Sequence, residues 1–113
     1  MSTYIIYFNQ QWVGEHSEEW FAQRGQLANA VVEDMRDAGV LLFAAGVDED
    51  VDAALTADST AGTLEFGRGL YSPTAQYLGG LTIVDVPDEE SARMWGGRIA
   101  EACGWPQQIR RVY

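Results

Sequence analysis

Apolar residues recur along this chain with two different periods. Tyr4-Ile5-Ile6-Tyr7-Phe8 is a continuous aromatic and β-branched run, the composition of a short strand buried on both faces. A polar loop from Asn9 to His16 follows and carries Trp12. Ser17 then offers a capping hydroxyl, and Glu18 and Glu19 stand where the positive end of a helix dipole favours acids. Polar residues Glu19, Gln23, Gln26, Asn29, Glu33 and Asp37 step by three and four. Trp20, Leu27, Val31, Met35 and Ala38 share the opposite face, flanked by Phe21, Ala28 and Val32. This spacing predicts an amphipathic helix of about six turns, closed by Gly39 in the left-handed conformation. Arg24 interrupts its apolar stripe.

Val40 to Ala45 reads as a second strand, and Asp48-Glu49-Asp50 with Asp52 as an acidic turn. Gly62 to Phe66 predicts a short strand, Gly67-Arg68-Gly69 a turn, and Leu70 to Tyr77 a loop. After Gly79-Gly80, Leu81 to Val86 is a further strand. Asp88 caps a second helix whose buried stripe is Ala92, Trp95, Ile99 and Cys103 and which Gly104 closes. Gly96-Gly97 lie inside that helix at a cost of about 1 kcal/mol each relative to Ala, which points to close packing. Gln107 to Tyr113 is the last strand.

Strand, helix, strand, a β insertion, then strand, helix, strand is the pattern of an α+β ferredoxin-like sandwich, one domain over residues 1–113. In it, Tyr4–Phe8 and Leu81–Val86 are the central strands of an antiparallel sheet with two helices on one face. The other face needs a cover. That predicts a homodimer, sheet against sheet, with a pocket between sheet and helix or between subunits.

Charge narrows the partners. The chain of 113 residues has 17 acids against 7 bases and a net charge of −10, and every base is Arg. Such a chain repels phosphate backbones and anionic lipid, so nucleic acid and membrane are poor partners. The single cysteine, Cys103, rules out an intrachain disulfide. Residues 1–6 lack a basic stretch before an apolar run, and no segment approaches ~18 apolar residues. The expectation is a cytoplasmic protein.

His16 is the only histidine, so any imidazole acid–base chemistry must use it. It is either a titrating group at a pocket rim or a surface loop residue. Arg24 either holds an anionic ligand group, pairs with a carboxylate, or lays its stem on the core and reaches water. Trp12 and Trp105 lie beside helix ends, where indoles wall an interface or a ligand pocket. Cys103 reads as a packed thiol rather than a nucleophile. No His, Cys and carboxylate spacing suits a metal. The acidic turn lacks the glycine and distal glutamate of a calcium loop, and the glycine turns lack the lysine of a phosphate loop.

Arg68-Gly69-Leu70-Tyr71-Ser72-Pro73-Thr74-Ala75-Gln76-Tyr77-Leu78-Gly79-Gly80-Leu81, set after strand, helix and strand, resembles the YCII-related family, in particular its DGPF-domain branch. Gly69, Tyr71, Thr74 and Leu78-Gly79-Gly80 match the branch motif. Arg68, Leu70, Pro73, Ala75 and Gln76 stand where the motif has Asp, Pro, Glu, Lys and Glu. Phe8-Asn9-Gln10-Gln11-Trp12-Val13-Gly14 and Cys103-Gly104-Trp105-Pro106 are similar to one subgroup. Other branches place a histidine shortly after an Arg; here Gln26 stands about there, and Gln is no general base at neutral pH. The resemblance implies a dimeric α/β barrel of two ferredoxin-like subunits, related to small lactone isomerases, monooxygenases and dehalogenase-type enzymes.

Two functions follow as expectations. One is a homodimer that binds a small organic acid among Tyr7, Trp12, His16, Trp20, Arg24 and Tyr71. As a cofactor-free isomerase or lyase it would use His16 as proton shuttle and Arg24 to hold the anionic group. The other is a non-catalytic interaction or regulatory module that presents its acidic surface to a basic partner.

Overall fold

A computed structural model describes residues 1–113 as an α+β fold. Strands are β1 (Ser2–Asn9), β2 (Leu41–Gly46), β3 (Leu55–Asp58), β4 (Glu65–Arg68), β5 (Leu78–Val86) and β6 (Gln108–Val112). Helices are α1 (Glu18–Asp37) and α2 (Glu89–Cys103), and single 3-10 turns span Gln10–Trp12 and Val51–Ala53. The main sheet has the order β2-β5-β1-β6, antiparallel throughout, while β3 and β4 form a separate two-stranded ribbon. No helix is long and apolar enough to cross a membrane.

The helix ends follow local chemistry. The Ser17 hydroxyl accepts from the Trp20 amide, and the Asp88 carboxylate accepts from the Ser91 amide. That bond holds the Asp88 carboxyl below its usual range. Gly39 and Gly104 follow the two helices with φ of +74° and +86°, where a Cβ is disfavoured.

Cross-strand partners share a face, and register sorts the sheet cleanly. Tyr4 opposes Val84 and Arg111, and Ile6 opposes Thr82 and Ile109. Tyr4, Ile6, Val84 and Val86 join Val31 and Met35 of α1 and Ala92, Trp95, Ile99, Ala102 and Cys103 of α2 in one core. Both helices therefore lie on this face. Ile5 opposes Ile83 and Arg110, Tyr7 opposes Leu81, and Phe43 opposes Ile83 on the other face. Ile5, Leu81 and Ile83 are only half-buried and Phe43 is exposed. The expectation that Tyr4–Phe8 is buried on both faces thus fails within one chain, because two helices cover one side.

Other departures are local. β5 starts at Leu78, so Gly79 and Gly80 are strand residues rather than a turn before it. A Cβ on Gly79 would lie 2.7 Å from the Phe8 ring and 3.0 Å from the Gln10 Cα, so the strand can pass there only without a side chain. The short strand expected at 62–66 lies at Glu65–Arg68 and pairs with β3, whose sequence Leu-Thr-Ala-Asp carries no strand signal of its own. On α1, Val31 and Met35 are buried with Ala28 and Val32 beside them, whereas Phe21 and Leu27 are exposed. The first turns of α1 therefore contribute less to the core than their periodicity predicts.

The paired glycines of α2 differ. A Cβ on Gly96 would meet the Ile109 side chain, with Cγ1 at 2.8 Å, while one on Gly97 would meet nothing within 4 Å. Gly96→Ala is expected to destabilise by about 1 kcal/mol or more through overpacking. Gly97→Ala is expected to stabilise by about 0.5–1 kcal/mol through helix propensity. Urea unfolding of both variants checks the sign; stabilisation by both would mean that β6 yields to α2 freely.

Candidate functional site

His16, Trp20 and Arg24 do come together, as a clasp between the start of α1 and the end of α2. The His16 ring stacks on Trp20 with centroids 3.6 Å apart and planes 11° from parallel. Its Nε2 lies 2.9 Å from the Val13 carbonyl. A carbonyl only accepts, so Nε2 donates and Nδ1 is left as the acceptor of the neutral ring. Arg24 places its Cζ 5.3 Å from the Trp20 ring centroid, a cation–π contact. Arg24 Nη1 also donates to the Glu101 carbonyl at 3.1 Å, in the last turn of α2, where the dipole is negative. Trp105 tilts against Trp20 at 6.1 Å and meets Phe8 edge-on at 5.0 Å. The Trp105 indole Nε1 is buried without a hydrogen-bond partner.

Gly104 explains how the clasp closes. A Cβ there would lie 2.9 Å from Trp20 Cζ2 and 3.3 Å from Arg24 Nε. Both side chains rest on bare backbone. The geometry gives Arg24 a role outside those three expectations, as a cap on the C-terminal end of α2.

Tyr7 and Trp12 stand apart from the clasp. Tyr7 belongs to the open face of the sheet, whereas Phe8 and Trp105 belong to the helix side. Tyr7 stacks on Trp12 at 6.4 Å, and its hydroxyl donates to Gln108 Oε1 at 3.1 Å. Trp12 Nε1 and Asn9 Nδ2 both donate to Gln76 Oε1. Gln76 thereby ties the loop before β5 to the end of β1. Tyr71 is 74% exposed in that loop. The six residues expected to line one pocket are thus divided between the two sides of the sheet and a loop.

A cleft of about 430 Å³ lies between α1, β2 and β5 on the helix side. That is the scale of a small-ligand site. Its apolar lining includes Phe8, Ala28, Val32 and Ile99, and its polar lining Asn29, Glu33, Arg36, Thr82 and Gln107. Thr82 is the one polar residue of the buried set. Arg36 is the only cation in the lining, and it pairs with Glu33 across one exposed helical turn. Sequence reasoning assigned Asn29 and Glu33 to a solvated stripe and gave Arg36 no role. Cleft membership depends on where β2 runs beside α1, which no local pattern encodes.

Cys103 also lines the cleft. Burial pushes its thiol up to about 11, against a smaller downward pull from Arg24. At neutral pH it is a thiol, a packing group and no nucleophile. No three His, Cys, Asp or Glu side chains converge as a metal-ligand group. Comparison of the chain with known protein families finds no match, and comparison with curated proteins finds none either.

Two outcomes test this anatomy. Gly104→Ala adds a clash to a strained φ, so it is expected to cost more than about 1 kcal/mol and more than Gly39→Ala, which adds strain alone. Denaturant unfolding followed by tryptophan fluorescence compares them. Equal losses would mean that the clasp does not need the bare backbone. The Cys103 thiol is expected to react with a disulfide reagent at pH 8 about 100-fold more slowly in native than in unfolded protein, and faster as pH rises toward 11.

Proposed function

We propose that this protein is a homodimer of ferredoxin-like subunits, a divergent relative of the YCII-related family, that binds a small organic acid in the cleft between α1 and the sheet. The cleft carries this reading: it is ligand-sized, with a mixed apolar and polar lining and one guanidinium, Arg36, beside the Glu33 carboxylate. Arg36 holds the acid group, because its existing pair with Glu33 is exposed and worth little. Asn29, Thr82 and Gln107 orient the rest of the molecule. The order β2-β5-β1-β6, with β3 and β4 set aside as an insertion, supports the ferredoxin-like assignment.

Surface area supports the dimer. The chain exposes 7594 Å², about 1,400 Å² more than a compact monomer of this mass. A standard interface takes about 800 Å² from each partner. The open sheet face offers Ile5, Leu81, Ile83 and Phe43, with one positive and one negative residue, Arg110 and Asp85. The two ion pairs of the structure use neither. A two-fold partner would meet each with the other.

Turnover through His16 is the second reading, favoured by the free Nδ1 of a ring fixed on Trp20. Thermal unfolding with small aromatic carboxylates, their methyl esters and matched lactones separates the readings. A carboxylate is expected to raise the midpoint more than its ester. Arg36→Ala is expected to remove that gain, and His16→Ala to keep it. The reverse pattern would move the site to His16, and a flat panel would favour the non-catalytic interaction module.

A further inference from the structure

Arg36 does not stand alone in the cleft. Asn29, Glu33 and Arg36 all line it. In α1 they follow one another at steps of four and three, so one stripe of the helix presents all three. Glu33 Oε1 accepts from Arg36 Nη1. A guanidinium carries more N–H donors than one such bond uses, so Arg36 can hold a second carboxylate without releasing the first. A simple carboxylate seated there would lie beside Glu33, and like charges in contact repel. It would also approach a chain of net charge −10 against the field of the whole molecule. A ligand with an ammonium next to its carboxylate meets neither obstacle. It has no net charge, and Glu33 offers its ammonium an acceptor.

We propose that the cleft takes an α-amino acid with an apolar side chain, bound as the zwitterion: carboxylate on Arg36, ammonium on Glu33, side chain among Phe8, Val32 and Ile99. This inference rests on the small-acid reading of the cleft and narrows its ligand to one class. The two charged groups of an α-amino acid branch from one carbon, and the paired head groups of Arg36 and Glu33 are likewise adjacent. The Asn29 amide, one turn before Glu33, has both donors and an acceptor for the same end of the ligand. Phe8 of β1, Val32 of α1 and Ile99 of α2 supply the apolar end, and a cleft of about 430 Å³ has room for an aromatic ring. Arg36 is the one cation and Glu33 the one acid in the lining. With both engaged by the ligand backbone, no partner is left for a charged side chain, and burying one unpaired is costly.

Calorimetric titration of the full chain tests the assignment with phenylalanine, hydrocinnamate, which lacks the ammonium, and phenethylamine, which lacks the carboxylate. The wild type is expected to bind phenylalanine at least about fivefold more tightly than either analogue, the scale of one exposed ion pair. Glu33→Gln is expected to abolish the preference over hydrocinnamate, and Arg36→Gln the preference over phenethylamine. Both side chains are more than half exposed, so each variant is expected to fold, and a merely structural role would lower all three affinities together. Equal binding of hydrocinnamate and phenylalanine by the wild type would overturn the zwitterion and leave the small-acid cleft standing. So would a preference that Glu33→Gln leaves unchanged. Binding of phenethylamine alone, or of none of the three nor of leucine, would overturn both.

Discussion

Two helices can cover one face of a four-stranded sheet and no more. Nearly every feature of this protein follows from that limit. The alternating register of β1 and β5 sends Tyr4, Ile6, Val84 and Val86 into the helices and leaves Ile5, Leu81 and Ile83 facing out. The core is consequently one-sided and small, with 16 of 113 residues buried. A chain with so little interior has apolar surface left over on the sheet and on the ribbon. The proposed second copy covers the sheet face.

The one-sided core also explains what the aromatic residues do. Trp20, His16, Phe21 and Trp105 lie where α1 begins and α2 ends, at the margin of the buried cluster. There an indole can be half-covered and still carry a cation on its face. Arg24 bridges the Trp20 ring and the C-terminal carbonyls of α2, joining the two helices where few core side chains do so. Further along the helix pair, Arg98 pairs with Asp34. His16, Trp20 and Arg24 thus fasten the two helices in this geometry, and the cleft proposed to admit a ligand lies beside β2.

Much of the fold was legible in the residues themselves. Ser17 and Asp88 cap because their oxygens reach amides three residues on, and Gly104 ends α2 because it accepts a positive φ. These are local matters, and periodicity, caps and glycines report them. The candidate site was less legible. Tyr7 and Trp12 do belong together, and so do His16, Trp20 and Arg24, but the first pair and the second trio are held on different sides of the sheet. Alternation along β1 determines which side Tyr7 takes once the helices are in place, and sequence proximity to Trp12 and His16 conceals it.

The sequence by itself determined the α+β order of elements, the helix ends, and an apolar strand set too large for one small core. Those properties depend on residues within a few positions of one another. Only the tertiary structure decided that Gly79 must pass beneath Phe8, that Gly96 must admit Ile109, and that Asn29, Arg36, Thr82 and Gln107 surround one cleft. It also turned the apolar face of the ribbon outward. Each of these joins residues distant in the chain, and their meeting depends on strand register and helix seating, which the balance of packing across the whole molecule selects.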